Sequence, residues 1–240
     1  MSDIDKLQSI INGSKKIVFF GGAGVSVASG LKDFRSKDGI YNMKYPYPPE
    51  EILSHHFFMN NTKEFFKFYR QMLNTKGIEP NIVHKYITKL EEKEKLLAIV
   101  TQNIDNLHTL AGTKKVLELH GNINRNYCMN CNKYYDGDIV FNSMEDIPKC
   151  ECGGIIKPDV VLYEEQLDQE ILAESIRCIS EADTLIVAGT SLNVYPAAGL
   201  ITYFRGKNLI IINKDITSYD KIANLVINDD LKKVFNNLKI

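Results

Sequence analysis

The apolar run Lys16-Ile17-Val18-Phe19-Phe20 passes without a break into Gly21-Gly22-Ala23-Gly24-Val25-Ser26. The run has no polar alternation, so it suits a strand buried on both faces, as strands are in parallel sheets covered by helices. Comparable runs rich in Val, Ile and Leu recur at Leu97–Thr101, Val116–Glu118, Thr184–Ala188 and Leu209–Ile212. Stretches with helical spacing lie between them: Ile4–Ile11, stopped by Asn12-Gly13, then Glu64–Leu73, Val83–Leu90, and Leu167–Ser180 with Asp168 as its cap. The alternation predicts an α/β fold around a largely parallel, Rossmann-like sheet. Two regions break the pattern. Gly30 to Pro49 is rich in Gly, Pro, Lys and Tyr and reads as a long irregular segment, and residues 123–157 read as a small insert.

A strand that enters a glycine turn and then a helix is the phosphate-binding arrangement of dinucleotide folds. Glycines let the backbone approach a pyrophosphate, and the helix N-terminus offers free N–H groups. The G-x-G-x-x-G fingerprint is imperfect here, because Val27 stands at the third glycine position and the next glycine is Gly30. No acidic residue follows about 20 positions on at the end of an obvious second strand. By itself the loop reads equally well as a tight strand-to-helix turn. The same spacing disfavours an ordinary hydride-transfer enzyme.

At 240 residues the chain suffices for one large domain, or one domain with a small insert. Its hydrophobic fraction of 44% allows a sizeable core. The formal net charge of −1 comes from mixed signs, without the clustered basic charge of a nucleic-acid binder. The N-terminal residues lack a signal peptide's basic start and apolar run, and stretches such as Leu96–Val100 are far shorter than the about 20 residues of a membrane span. A soluble, cytoplasmic protein is expected.

Cys128-Met129-Asn130-Cys131 and Cys150-Glu151-Cys152 form two close pairs. Such pairs in a reducing compartment indicate a metal rather than disulfides, and a full set of thiolates leaves a tetrahedral zinc no open position. One structural zinc ion is therefore expected on Cys128, Cys131, Cys150 and Cys152. The second pair has one intervening residue where two are usual, and Gly153-Gly154 supplies flexible backbone for the tighter bite. The fifth cysteine, Cys178, reads as an ordinary buried residue.

The stretch from Gly22 to Ser36, with Asp33-Phe34-Arg35, closely resembles the signature loop of the sirtuins, the NAD-dependent protein deacylases. The resemblance continues in Thr101-Gln102-Asn103-Ile104-Asp105-Asn106-Leu107-His108, in Leu119-His120-Gly121, in the cysteine module, in Lys157-Pro158-Asp159-Val160-Val161, in Gly189-Thr190-Ser191-Leu192 and in Ile212-Asn213. These blocks occur in family order along nearly the whole chain. Two positions depart from the family: Lys32 stands where Pro is usual, and Val27 where Thr or a small polar residue is frequent, which removes one phosphate contact. The resemblance implies one catalytic domain. Its larger NAD-binding lobe would hold about residues 1–34, 75–122 and 156–240. Its smaller lobe would hold about 35–74 and 123–155, as a helical module and a zinc module.

The family reaction consumes NAD, releases nicotinamide and moves the acyl group of acyl-lysine to ADP-ribose. His120 matches the general base, a task suited to imidazole. It ends an apolar run, where strand ends of open α/β sheets face the ligand crevice. Asn103 and Asp105 match residues that orient the nicotinamide end, with Asn103 counted as catalytic and Ile104 as a wall of the same pocket. Phe34 matches the aromatic shield of the reactive sugar. Ala23, Val27, Arg35, Gln102, Thr190, Ser191 and Asn213 match other NAD contacts, and Asp230 and Leu231 match adenine contacts.

Val161, Tyr163 and Val194 match strands that hold an extended acetylated peptide by main-chain pairing. Glu164 stands where the family often has Gly, which suggests a preference for basic residues beside the target lysine. Relatives that take succinyl or malonyl lysine carry a Tyr and, three residues later, an Arg; the matching positions here are Phe66 and Tyr69, with Arg70 one place away. Acetyl and longer apolar acyl groups are therefore expected. The resemblance further implies a monomer acting on acetylated proteins, with no nucleic-acid or membrane partner. The rivals are a mono-ADP-ribosyltransferase using the same site and a non-catalytic NAD-binding module.

Overall fold

The structure, a computed structural model, describes residues 1–34, 36 and 38–239. Helix α1 (Asp3–Gly13) starts at Ser2, whose hydroxyl accepts from the Asp5 N–H while the Asp5 carboxylate accepts from the Ser2 N–H. Strand β1 (Ile17–Gly21) follows, then α2 (Pro49–Ile52), α3 (His55–Asn60), α4 (Thr62–Met72) and α5 (Ile82–Glu92). Next come β2 (Leu96–Thr101), α6 (Leu107–Leu110), β3 (Val116–Glu118), β4 (Gly121–Cys128), β5 (Tyr134–Asp136), α7 (Asp138–Phe141) and β6 (Ile156–Val160). The chain continues with α8 (Gln169–Glu181), β7 (Thr184–Ala188), β8 (Asn208–Ile212), β9 (Leu225–Ile227) and α9 (Leu231–Asn236).

Six strands form one sheet in the order β3-β2-β1-β7-β8-β9, every neighbouring pair parallel. Strand β1 is flanked by β2 on one side and by β7 on the other, so the chain reverses its winding at β1 and opens a crevice beyond the strand ends there. Successive β1 side chains enter opposite cores: Ile17 and Phe19 pack with α1, α5 and α9, while Val18 and Phe20 pack with α8. Phe19 and Phe20 are fully buried, each contributing about 2–3 kcal/mol by removal of apolar surface from water.

A second, antiparallel sheet, β5-β4-β6, carries the cysteine pairs. Its apolar side shares a third core with the helices α2 to α4, through Phe58, Phe65, Phe66, Phe68 and Tyr69 against Cys128, Val140, Cys150 and Ile156. Strand β6 pairs with β4 and packs into this third core.

The expected strands and helices are all present, with ends shifted by a few residues. Two readings change. The glycine turn is not followed by an α-helix but by two 3-10 turns, Ala23–Val25 and Val27–Ser29, closed by Gly30 at φ +95°. Within the segment from Gly30 to Pro49, a 3-10 turn at Ile40–Asn42 folds back so that the N–H groups of Ile40 and Tyr41 donate to the carbonyls of Asp33 and Phe34. Among the described residues no helix is long and apolar enough to cross a membrane.

Candidate active site

The glycines at the end of β1 serve first to let two turns interlock. A Cβ on Gly22 would stand 2.6 Å from the Thr190 Cβ, and one on Gly24 would stand 2.7 Å from the Gly189 Cα. Gly189, at φ +61°, ends β7 and returns the contact, since its own Cβ would meet the Val25 nitrogen at 2.5 Å. The Gly24 N–H donates to the Gly189 carbonyl at 2.8 Å. Two strand ends are thus clamped side by side, and the residues after them, Ala23 and Val27 from one turn, Thr190 and Ser191 from the other, line a cavity of about 850 Å³.

The same cavity is lined by Phe34, Gln102, Asn103, Ile104 and His120, and farther along by Asn213, Asp230 and Leu231. Val161, Tyr163 and Val194 line it as well. Asp105 stands in a smaller adjoining cavity of about 60 Å³, with Ala23, Ser26, Asn103 and Ile104. Arg35 lies outside the described residues.

Gln102 donates its main-chain N–H to the Gly21 carbonyl, and its side-chain oxygen accepts from the Thr190 hydroxyl at 3.1 Å. Its amide nitrogen is buried with no hydrogen-bond partner among the described residues. A buried donor without a partner is costly, and in a cavity-lining residue it fits an oxygen of a bound nucleotide. This atom, in a cavity that the clamped glycine turns also line, is the observation on which the site fits NAD.

His120 stands just past β3, and its Nδ1 lies 2.9 Å from the Gln102 carbonyl oxygen. A carbonyl only accepts, so Nδ1 carries the proton and Nε2 keeps its lone pair. Burial holds the imidazole below its ordinary value, opposed by the Gln102 bond, so the neutral form prevails near neutrality. A neutral ring with a fixed tautomer is the form a general base requires.

Ser26 organises the adjoining cavity, and sequence reasoning missed it. Its hydroxyl donates to Asp105 Oδ2 at 2.5 Å and accepts from the Asn103 amide at 3.1 Å. The other Asp105 oxygen accepts from the Leu107 N–H at 2.9 Å. Burial pushes the Asp105 carboxyl up, and the bonds from Ser26, Leu107 and Asn103 oppose that rise. The available signal was its place directly after Gly22-Ala23-Gly24-Val25; its burial, which obliges the hydroxyl to find a partner, shows only in the structure.

Several expectations are modified by position. Asp230 caps α9 by accepting from the N–H groups of Lys232 and Lys233 and pairs with Lys214 at 3.0 Å, so its carboxylate is already engaged. Leu231 is largely committed to the first core. The main-chain N–H and carbonyl of Tyr163 are taken by Leu53 and His55, leaving its ring to face the cavity. Glu164, at φ +75°, accepts from the His56 N–H at 2.9 Å, so its carboxylate steadies the start of α3 as well as facing solvent. Phe66 and Tyr69 are fully buried in the third core and do not line the cavity. Arg70 is turned to the other side, donating to the carbonyls of Val140, Glu145 and Asp146.

The cysteine sulfurs lie within 4.8 Å of one another, with Cys128–Cys152 at 3.4 Å and Cys131–Cys150 at 3.6 Å. Sulfurs around a tetrahedral zinc stand about 3.8 Å apart, given Zn–S bonds of about 2.3 Å, so the cluster is consistent with a structural zinc. Gly153 takes φ +84°, and a Cβ on Gly154 would stand 2.6 Å from the Cys128 sulfur. The shortened second pair therefore works only with both glycines behind it. The Tyr135 hydroxyl donates to the Cys150 sulfur at 3.1 Å and, with the Cys152 backbone, lowers that thiol to about 6, towards the thiolate a metal binds.

The model of the Sir2 family matches residues 22–196. An NAD-dependent protein deacetylase of Clostridium acetobutylicum is 58% identical, over 98% of this chain and 97% of its own. One of Clostridium perfringens is 55% identical, over 96% of each chain. Among solved structures, a Sir2 variant with a deacetylated p53 peptide and 3'-O-acetyl ADP-ribose superposes with a TM-score of 0.91 at 38% identity, covering 98% of this chain and 96% of that one. A Sir2 complex with p53 peptide and NAD+ superposes with a TM-score of 0.87, again at 38% identity and with the same coverage.

Proposed function

This chain belongs to the Sir2 family, and we propose that it is an NAD-dependent protein-lysine deacetylase whose general base is His120. The observation that carries the assignment is the His120 Nδ1 to Gln102 carbonyl bond, which leaves an unprotonated Nε2 on a residue of the cavity that Asn103, Phe34 and Gln102 also line. NAD, when bound, would supply an activated ribose carbon for the acyl oxygen, nicotinamide as the leaving group, and a ribose hydroxyl on which the acyl group ends. Ala23, Gln102, Thr190 and Ser191 would hold its phosphates and ribose, with Val27 bordering them without a side-chain hydrogen bond. Asn213, Asp230 and Leu231 border its adenosine end, with Arg35 assigned to cofactor binding by resemblance. Asn103, Ile104 and Asp105, steadied by Ser26, hold the nicotinamide end and keep its carboxamide in one orientation. His120 takes a proton at Nε2 from a ribose hydroxyl, and Phe34 excludes water from the reacting carbon.

The peptide lies against Val161, Tyr163 and Val194, and the acyl group meets apolar residues such as Leu53, Leu73 and Leu162 of the same cavity. The Cys128, Cys131, Cys150 and Cys152 cluster holds one zinc as a structural brace. The same reading takes the protein as a cytoplasmic monomer acting on acetylated proteins and not on nucleic acid, and the formal net charge of −1 supports the last point.

The test is one incubation of purified protein with an acetylated peptide, with and without NAD, followed by mass spectrometry. Strictly NAD-dependent loss of acetyl, with acetyl-ADP-ribose formed, is expected. An ADP-ribosylated protein in its place would make the enzyme a transferase. NAD binding with no nicotinamide released would leave only a binding module.

A further inference from the structure

The hydroxyls of Tyr41 and Tyr163 lie 2.6 Å apart, joining the segment that follows the glycine turn to the loop that follows β6. Tyr163 is the fixed partner, because its N–H donates to the Leu53 carbonyl and its carbonyl accepts from the His55 N–H, both at 2.9 Å. Tyr41 belongs to a small unit with Phe34. Its N–H donates to the Phe34 carbonyl at 2.9 Å, and the two rings meet edge to face with centroids 5.5 Å apart. Gly39 leaves no slack in that unit, since a Cβ there would stand 2.7 Å from Asp33 Oδ1 and 2.8 Å from the Phe34 carbonyl carbon. All three rings line the same cavity of about 850 Å³.

We propose that Tyr163 is a positioning residue: its hydroxyl latches Tyr41, and through Tyr41 it sets where Phe34 stands over the reacting sugar. The bond is exposed, so water competes for it and it opens and recloses at little cost. An acyl-lysine lying along Tyr163 excludes that water and strengthens the latch, which makes closure of Phe34 follow peptide binding. The role given to Phe34 rests on the deacetylase reading; the latch itself does not.

The test uses Tyr163→Phe, which keeps the ring and removes the hydroxyl. In the free protein, amides of residues 38–43 should exchange with deuterium about three- to tenfold faster than in the wild type, the range one hydrogen bond covers. With acetyl-peptide and NAD, the ratio of labelled-nicotinamide exchange into NAD to deacetylation should rise by a similar factor, with thermal stability unchanged. Tyr41→Phe should do the same, and the double variant should be no worse than either single one. Unchanged amide exchange, or strictly additive single effects, overturns the latch. A wild type that releases no nicotinamide would overturn the deacetylase reading instead, while the amide-exchange comparison would still decide the latch.

Discussion

The main-chain carbonyl of Gln102 accepts from His120 Nδ1 at 2.9 Å, so the turn after β2 dictates the tautomer of the residue after β3. Burial keeps that imidazole below its ordinary value of about 6.5. As pH falls, His120 therefore protonates later than a free imidazole, and the acid limb of kcat/KM for acetyl-peptide is expected below about pH 6.5. His120→Ala should keep the fold and NAD binding while lowering kcat by about 10²–10⁴. Near-normal turnover by the zinc-loaded variant would remove His120 from its role, and a pH–rate profile checks the limb.

How far the sequence discloses this site depends on whether a residue's partner is local. Asn103 and His120 follow apolar runs, so the pattern places them just past strand ends, whereas Phe34, in the irregular segment well beyond β1, was reached only through the resemblance to the sirtuins. The reason for Gly22 and Gly24 was not legible, because the backbone they press against is Gly189, remote in the chain. Strand β9, with only Leu225, Val226 and Ile227, is too short for a periodic signal and exists because β8 pairs with it. Strand β4 was hidden by the polarity of Asn122, Asn124, Arg125 and Asn126; Arg125 finds tertiary partners by donating to Glu118 at 2.6 Å and to Asp159 at 2.7 Å, and the Asn122 amide donates to Asn106 and Glu118.

Ser26 stands between two groups that the chemistry needs aligned. Ser26→Ala removes a donor to the buried Asp105 carboxylate and an acceptor for the Asn103 amide. Hydrogen bonds to charged groups are worth about 1.5–3 kcal/mol, so kcat/KM for NAD should fall about tenfold or more. Steady-state kinetics with varied NAD checks this, and unchanged kinetics would show that Asp105 needs no help to stay in place.

The location of Arg70 bears on which acyl groups are accepted. A succinyl carboxylate in the cavity would meet neither Arg70, which is bonded to carbonyls of 140, 145 and 146, nor the buried Tyr69. Without those two partners the acid is desolvated with no charge-assisted bond from α4. On matched peptides, deacetylation and depropionylation should outpace desuccinylation by about 10- to 10²-fold, as losing a hydrogen-bonded charge partner implies. Competition of the peptides in one reaction, read by mass spectrometry, decides it.

Zinc removal should act on the third core first. Cys128 and Cys150 are buried members of that core, beneath the aromatic side chains of α4. Cys131→Ser, or a strong chelator, should lower the melting temperature and expose the α4 aromatic residues, because metal binding to such a cluster is folding free energy. Metal analysis should find one zinc per chain in the wild type. Full stability after chelation would mean that the thiols pack without the ion.

Acid should destabilise the protein through a buried histidine pair that lines neither cavity. His84 and His108 are buried with ring centroids 4.7 Å apart, and His84 Nε2 and both His108 nitrogens have no hydrogen-bond partner among the described residues. Burial lowers His84 to about 4, and burial together with His84 lowers His108 well below its ordinary value. Above about pH 6.5 both rings are neutral in the folded and unfolded chains, and their contribution to stability is complete. Below that pH the unfolded chain takes up protons that the folded chain refuses, so stability falls; the part due to His84 is fully lost only once the pH has dropped through about 4. For His84 the loss amounts to about 3 kcal/mol over that window. Thermal melts between neutral and acid pH should show the decline, and His84→Gln, which cannot ionise, should flatten its slope. An equal slope in that variant would place the acid sensitivity elsewhere.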